Sequence, residues 1–92
     1  MKLTGKCLEA FCDTKTVQDS IDWETLPETC QNALIIEFFD SVGIYVDVAM
    51  DDVADNWDAY VDREWIRTSL NNRTQATNAA IIKANDLYNE NN

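Results

Sequence analysis

Six carboxylates lie between residues 51 and 64 (Asp51, Asp52, Asp55, Asp58, Asp62 and Glu64), with Arg63 the one base among them. Acids at this density could ligate a hard cation, work as a paired acid and base, or steer a basic partner. A calcium loop fails on spacing. Counted from Asp52, the pattern keeps Asn56 and Asp58, but Ala54 stands where a second acid is needed. Trp57 occupies the glycine position, and Arg63 replaces the closing glutamate. Asp51, Asp52 and Asp55 are left with weak, adventitious cation binding at most. Acid–base catalysis needs two carboxylates with separated pKa values in a cleft, and a solvated strand desolvates neither. The chain has no histidine, which excludes Ser-His-Asp, Cys-His and metal–histidine chemistry. Cys7, Cys12 and Cys30 are odd in number and lack C-x-x-C spacing, so zinc is not expected. Gly5 and Gly43 stand alone, without a phosphate-cradling loop. The expectation is therefore no enzyme, no cofactor and no metal. Steering remains.

Charge points the same way. The 92 residues carry 17 acids against 7 bases, a formal charge of −10. Such a chain is repelled by nucleic acid and anionic membranes and drawn to basic surfaces. Apolar residues make up 46% of it, with three each of Trp, Tyr and Phe, so it can bury one modest core. No apolar run reaches the roughly 18 residues of a membrane span. Met1 to Lys6 is basic like the start of a signal peptide, but no apolar stretch follows. A single cytosolic domain over residues 1–92 is expected.

Periodicity supplies the elements that must position these residues. Leu3, Cys7, Leu8 and Phe11 mark one face of a helix over 3–12, with Cys7 an ordinary apolar position. Residues 13–25 read as a connector, packed down by Trp23. Thr25 and Glu28 have capping-box spacing, Pro27 suits a first turn, and Gly43 suits a left-handed C-terminal cap. That predicts a helix over 26–42 with Leu34, Ile35, Phe38, Phe39 and Val42 on one face. Ala33 and Ile36 lie opposite, which places this helix between the sheet and the first helix. The period then falls to two, giving strands over 44–51, 56–62 and 65–70. A last helix over 74–89, capped by Asn72 or Thr74, has the inner face Ala76, Ala80, Ile81, Ala84, Leu87 and Tyr88. Ile82 points away from it.

The fold class is α+β, in the order α-α-β-β-β-α. A three-stranded antiparallel sheet would have helices on one face and its other face open to water. With Arg63-Glu64 as a two-residue turn, Val61 faces Ile66, Tyr60 faces Arg67 and Asp62 faces Trp65. Ile66, Thr68 and Leu70 then join Trp57, Ala59 and Val61 on the buried face, while Ile44, Val46, Val48 and Met50 alternate with Tyr45, Asp47, Ala49 and Asp51 along the first strand. The open face presents Tyr45, Asp47, Asp58, Tyr60, Asp62, Trp65 and Arg67, in which aromatics offer contact area and acids offer steering. These seven are the candidate partner-binding residues. Tyr60–Arg67 stacking on a solvated face is the plain structural alternative.

The element order is similar to that of double-stranded RNA-binding domains with a helix added in front. The chemistry opposes that function, since the last helix opens Asn72-Arg-Thr-Gln-Ala without the lysines that grip phosphates. Direct nucleic-acid binding is not expected. The run Phe38-Phe-Asp-Ser-Val-Gly-Ile44 and the helix from Arg73-Thr-Gln-Ala76 to Lys83-Ala-Asn-Asp-Leu-Tyr88 resemble those of small uncharacterised bacteriophage accessory proteins. The resemblance covers residues 26 to 89. It implies a phage product that inhibits a host defence factor by binding, and it implies no reaction and no cofactor. A basic, nucleic-acid-handling host protein is the expected partner, met in the host cytosol as by an anti-CRISPR-like inhibitor or nucleic-acid mimic. A sponge for a small molecule or nucleotide and a structural phage component are the alternatives. The chain is expected to be a monomer, or a homodimer seeded by Ile36 and Ile82.

Overall fold

Why Ala76, Ala80 and Ala84 recur every fourth residue is clear from what lies beneath them. All three are completely buried, and so is Ile81. They let the last helix, α3 (Arg73–Asn91), settle closely on a three-stranded sheet. The computed structural model describes residues 2–13, 23–51, 56–62, 64–70 and 72–91. Before α3 come α1 (Gly5–Cys12), a 3-10 turn (Trp23–Thr25), α2 (Glu28–Ser41), β1 (Val46–Asp51), β2 (Asn56–Val61) and β3 (Glu64–Leu70). Among the described residues the order is α-α-β-β-β-α, an α+β fold with an antiparallel β1-β2-β3 sheet.

The helices are arranged differently from expectation. α3, not α2, is the central element: it packs on all three strands and on both other helices. α2 meets the sheet chiefly at β1. The reason is side-chain size. Alanines allow close approach to a sheet, whereas the bulky rings of α2 fill the space between helices. Phe38 is the hub there, 5.6 Å from Phe11 of α1, 5.5 Å from Phe39 and 5.9 Å from Tyr88 of α3 between ring centroids. Trp23 packs edge-on to Phe11 at 5.3 Å, while residues 14–22 of the expected connector lie outside the described residues.

The short helix α1 buries Leu3, Cys7 and Phe11, yet eight residues are too few to hold a helix in water. Its N-terminus is capped from α3. Asn85 Oδ1 accepts from the Thr4 N–H at 2.9 Å while Asn85 Nδ2 donates to Thr4 Oγ1 at 3.0 Å. Asn89 Oδ1 accepts from the Cys7 N–H at 2.9 Å, and Asn89 Nδ2 donates to the Thr4 carbonyl at 3.0 Å. Gly5 takes φ +60°, and a Cβ there would stand 3.2 Å from Asn89 Oδ1. Position 5 therefore suits glycine twice over.

α2 begins later than the capping-box spacing predicts. Pro27 is its N-cap and offers no side-chain acceptor, so helix pairing starts with Cys30 and Gln31 N–H groups on the Pro27 carbonyl. Its end matches expectation. Gly43 is left-handed (φ +82°), Ile44 N–H reaches Phe39 O, and Gly43 N–H reaches Asp40 O, which is a Schellman cap. Val42 sits at the cap position and is exposed instead of sharing the apolar face. Ile36 is partly buried and packs against the core, whereas Ile82 is exposed as predicted. At α3 the cap is Asn72, whose Oδ1 accepts from Gln75 N–H at 2.9 Å.

In the sheet, β1 pairs with β2 from Val46↔Val61 to Asp51↔Asn56. Val46, Ala59 and Val61 face the core, and Val48 and Trp57 pack beside them. Met50, at the far end of β1, is exposed instead of buried. The β2–β3 register departs from prediction: Val61 pairs with Glu64, Tyr60 with Trp65, Ala59 with Arg67 and Trp57 with Leu70. Asp62 occupies the turn with φ +53°, a left-handed conformation that Asp tolerates better than Glu. Two irregularities follow along β3, the first leaving Ile66 without an opposite residue. Such bulges bend and twist an edge strand.

Candidate functional site

The outer face of the sheet carries one continuous transverse row. Asp47 on β1 pairs with Tyr60 on β2, and Tyr60 pairs with Trp65 on β3. Alternation sends all three away from α3. Trp65 is 62% exposed and Tyr45, two residues before Asp47, is 51% exposed. Tyr45, Asp47, Ala49 and Tyr60 line an open depression of about 470 Å³. Ala49 makes the hollow, because its methyl group leaves space beside the two tyrosines. Sequence reasoning missed Ala49, although its place two residues after Asp47 on the same strand face could have identified it.

The Asp47 carboxylate is held in place before any partner arrives. Its Oδ1 accepts from the Val48 N–H at 2.9 Å, and that amide lies on the free edge of β1. The bond also blunts an edge that could otherwise recruit another strand. A carboxylate accepts up to about four hydrogen bonds, so capacity remains on both oxygens.

The other proposed site residues divide differently. Asp58 has an outward register position, opposite Ala49, but is only 6% exposed, so it is not the solvated acid expected. It lies on the middle strand of the sheet. Asp62 is a turn residue and not a partner of Trp65. Its N–H donates to Tyr45 O at 2.7 Å, and its Oδ1 accepts from the Tyr45 N–H at 2.8 Å. Arg67 pairs with Ala59 and not with Tyr60, so the register expected for a Tyr60–Arg67 pair is not the one found, and the Arg67 side chain lies outside the described ones. Of seven expected residues, the fold groups Tyr45, Asp47, Tyr60 and Trp65 on the outer face. The cation cluster suggested for Asp51, Asp52 and Asp55 lies outside the described side chains, as does the role of Arg63.

Two polar features were not foreseen. Lys2 Nζ donates to Glu28 Oε2 at 3.0 Å and to Asn32 Oδ1 at 2.7 Å, and Asn32 Nδ2 donates to Asn78 Oδ1 at 3.2 Å. With Asn85 and Asn89 this forms an asparagine stripe along α3 that fastens the N-terminal segment. A smaller hollow of about 210 Å³ lies beside Lys2, Trp23, Glu28, Gln31 and Ile35, but the Lys2 ammonium there is already engaged. At the mouth of the sheet, Arg73 lies over the Trp57 ring, 4.9 Å from its centroid.

Cys7 is buried, and desolvation pushes its thiol from 9.0 up to about 11, so it is an inert core residue. Cys12 and Cys30 are exposed and free. Among the described residues no group of three His, Cys, Asp or Glu could hold a metal ion, and no helix is long and apolar enough to cross a membrane. The chain matches no protein-family model, no curated protein and no solved structure.

Proposed function

We propose that this chain is a non-enzymatic binding protein, a small acidic bacteriophage product that occupies a basic surface of a host protein in the host cytosol. The observation that carries the reading is the row Asp47–Tyr60–Trp65, with Tyr45 beside it. An exposed tryptophan and two tyrosines on a rigid sheet are the residue types that anchor interfaces, and a net charge of −10 speeds encounter with a basic partner. Inhibition would then follow from covering the partner's surface. Phosphate mimicry has less support, because Asp58 is buried and Asp62 is bound to Tyr45, which leaves Asp47 as the acid of this row. A nucleotide sponge also has little, since the described residues lining the depression offer an acid and two tyrosines where phosphate would need a cation.

The test is capture from host lysate at low and at high salt, with wild type and Trp65→Ala in parallel. A basic protein retained at low salt, released at high salt and lost with Trp65→Ala is the expected result. Recovery of bound small molecules alone would favour the sponge. Self-association alone would favour a structural phage component.

A further inference from the structure

We infer that the depression between Tyr45 and Tyr60 is a slot for an arginine side chain presented by the partner. This deepens the reading of the open face as a docking surface for a basic protein and rests on it. Three observations define the slot. Two tyrosines line one open hollow of about 470 Å³, and Ala49 keeps the hollow empty. Asp47 is the acid among the described residues of that lining, and the Val48 N–H already fixes its carboxylate at 2.9 Å. Tyr60 is flanked across the sheet by Trp65, which extends the aromatic surface beyond the hollow.

The chemistry favours guanidinium over ammonium. A guanidinium is planar, stacks on aromatic faces and directs a fork of N–H donors at a carboxylate. An ammonium is a compact, strongly hydrated point charge that gains less from either partner. A preoriented carboxylate beside two tyrosine rings offers both contacts at once. A neutral planar ligand would satisfy the rings and leave Asp47 without a counter-charge. A phosphate would meet Asp47 as a like charge.

The test uses the full chain, isotopically labelled, titrated with hexa-arginine, hexa-lysine and hexa-citrulline peptides at physiological salt. Guanidinium stacking on the rings at an exposed site implies that hexa-arginine binds about two- to fivefold tighter than hexa-lysine. Its shifts should centre on Tyr45, Asp47, Ala49 and Tyr60, and citrulline should not bind. Asp47→Asn and Tyr60→Leu, each checked for a wild-type amide spectrum, should bring arginine down to the lysine value. Mapping on the wild type decides the matter even if a variant misfolds. Equal affinity for arginine and lysine on this face would overturn the slot and leave the basic-partner reading standing. Arginine shifts centred elsewhere would overturn the slot as well. No binding of either cationic peptide anywhere would overturn both.

Discussion

Tyr45 and Asp62 hold each other across the end of the sheet through two hydrogen bonds, Asp62 N–H to Tyr45 O at 2.7 Å and Tyr45 N–H to Asp62 Oδ1 at 2.8 Å. The pair joins the entrance of β1 to the turn between β2 and β3. It also fixes the backbone of Tyr45 at the rim of the open-face depression. Asp62 therefore serves the site by building it, not by touching a partner.

Replacing Asp62 tests that role. Asp62→Asn keeps the acceptor and the tolerance for positive φ, so its stability should stay near wild type. Asp62→Ala loses both and should cost about 1–2 kcal/mol in urea unfolding. An alanine variant as stable as wild type would mean the bond to Tyr45 contributes nothing.

The asparagine stripe gives a second expectation. Asn89→Ala removes the acceptor for the Cys7 N–H and should cost about 1–2 kcal/mol, because a half-buried amide is left unpaired. Hydrogen exchange should accelerate at Cys7 and the following amides of α1 while the sheet stays protected. Uniform acceleration through sheet and helix would show that α1 does not loosen independently.

Two substitutions distinguish the helices. Phe38→Ala empties the junction of three ring contacts and should cost ~3–5 kcal/mol, close to the whole stability of a small domain. Ala80→Leu adds volume where α3 presses on the sheet and should cost ~1–3 kcal/mol by overpacking. If Ala80→Leu melts with wild type by calorimetry, α3 does not sit on the sheet as closely as described.

Alkaline pH should weaken the fold through Cys7. Burial raises its thiol to about 11, while the unfolded chain ionises near 9.0. Below pH 9 both states are protonated and the folded state keeps its full stability. Between 9 and 11 only the unfolded state releases the proton, so stability falls, by roughly 1–3 kcal/mol in all. Urea titrations from pH 8 to 10.5 should show this fall in wild type and in Cys12→Ser, and a smaller one in Cys7→Ala. Parallel curves for all three would contradict the assignment.

Much of the fold was legible because single residues or strong periods determine it. Gly43 ends α2 through its left-handed conformation, and the alanines of α3 fixed that helix's inner face. The β2–β3 turn was not, since Arg63-Glu64 and Asp62-Arg63 are both poor turn dipeptides. The fold pairs Val61 with Glu64, and Asp62 accepts positive φ at the turn. That displaces the pairing by two residues, and because side chains alternate with period two, Trp65 stays on the predicted face. Beyond Ile66 the bulge changes the parity, which is why Arg67 meets Ala59.

At the site, alternation revealed which side Asp47, Tyr60 and Trp65 take. It could not reveal depth, so the burial of Asp58 on the middle strand was missed. The grip of Asn85 and Asn89 on Thr4 and Cys7 joins residues more than 80 positions apart, and no local pattern encodes it. The place of α2 was missed for a related reason. Phe38 and Phe39 are apolar enough for a sheet or for another helix, and only the alanines opposite decide between them.

Radical footprinting of the chain, free and in the complex captured from lysate, is the most direct measure of where the partner sits. Trp65 and Tyr45 are exposed on the open face, and Ile82 is exposed to 53% on α3, so both surfaces can be labelled in the free chain. Strong protection of Tyr45, Tyr60 and Trp65 on complex formation, with Ile82 still labelled, is the expected result. Protection of Ile82 with Trp65 and Tyr45 unchanged would contradict it and move the binding surface to the outer side of α3.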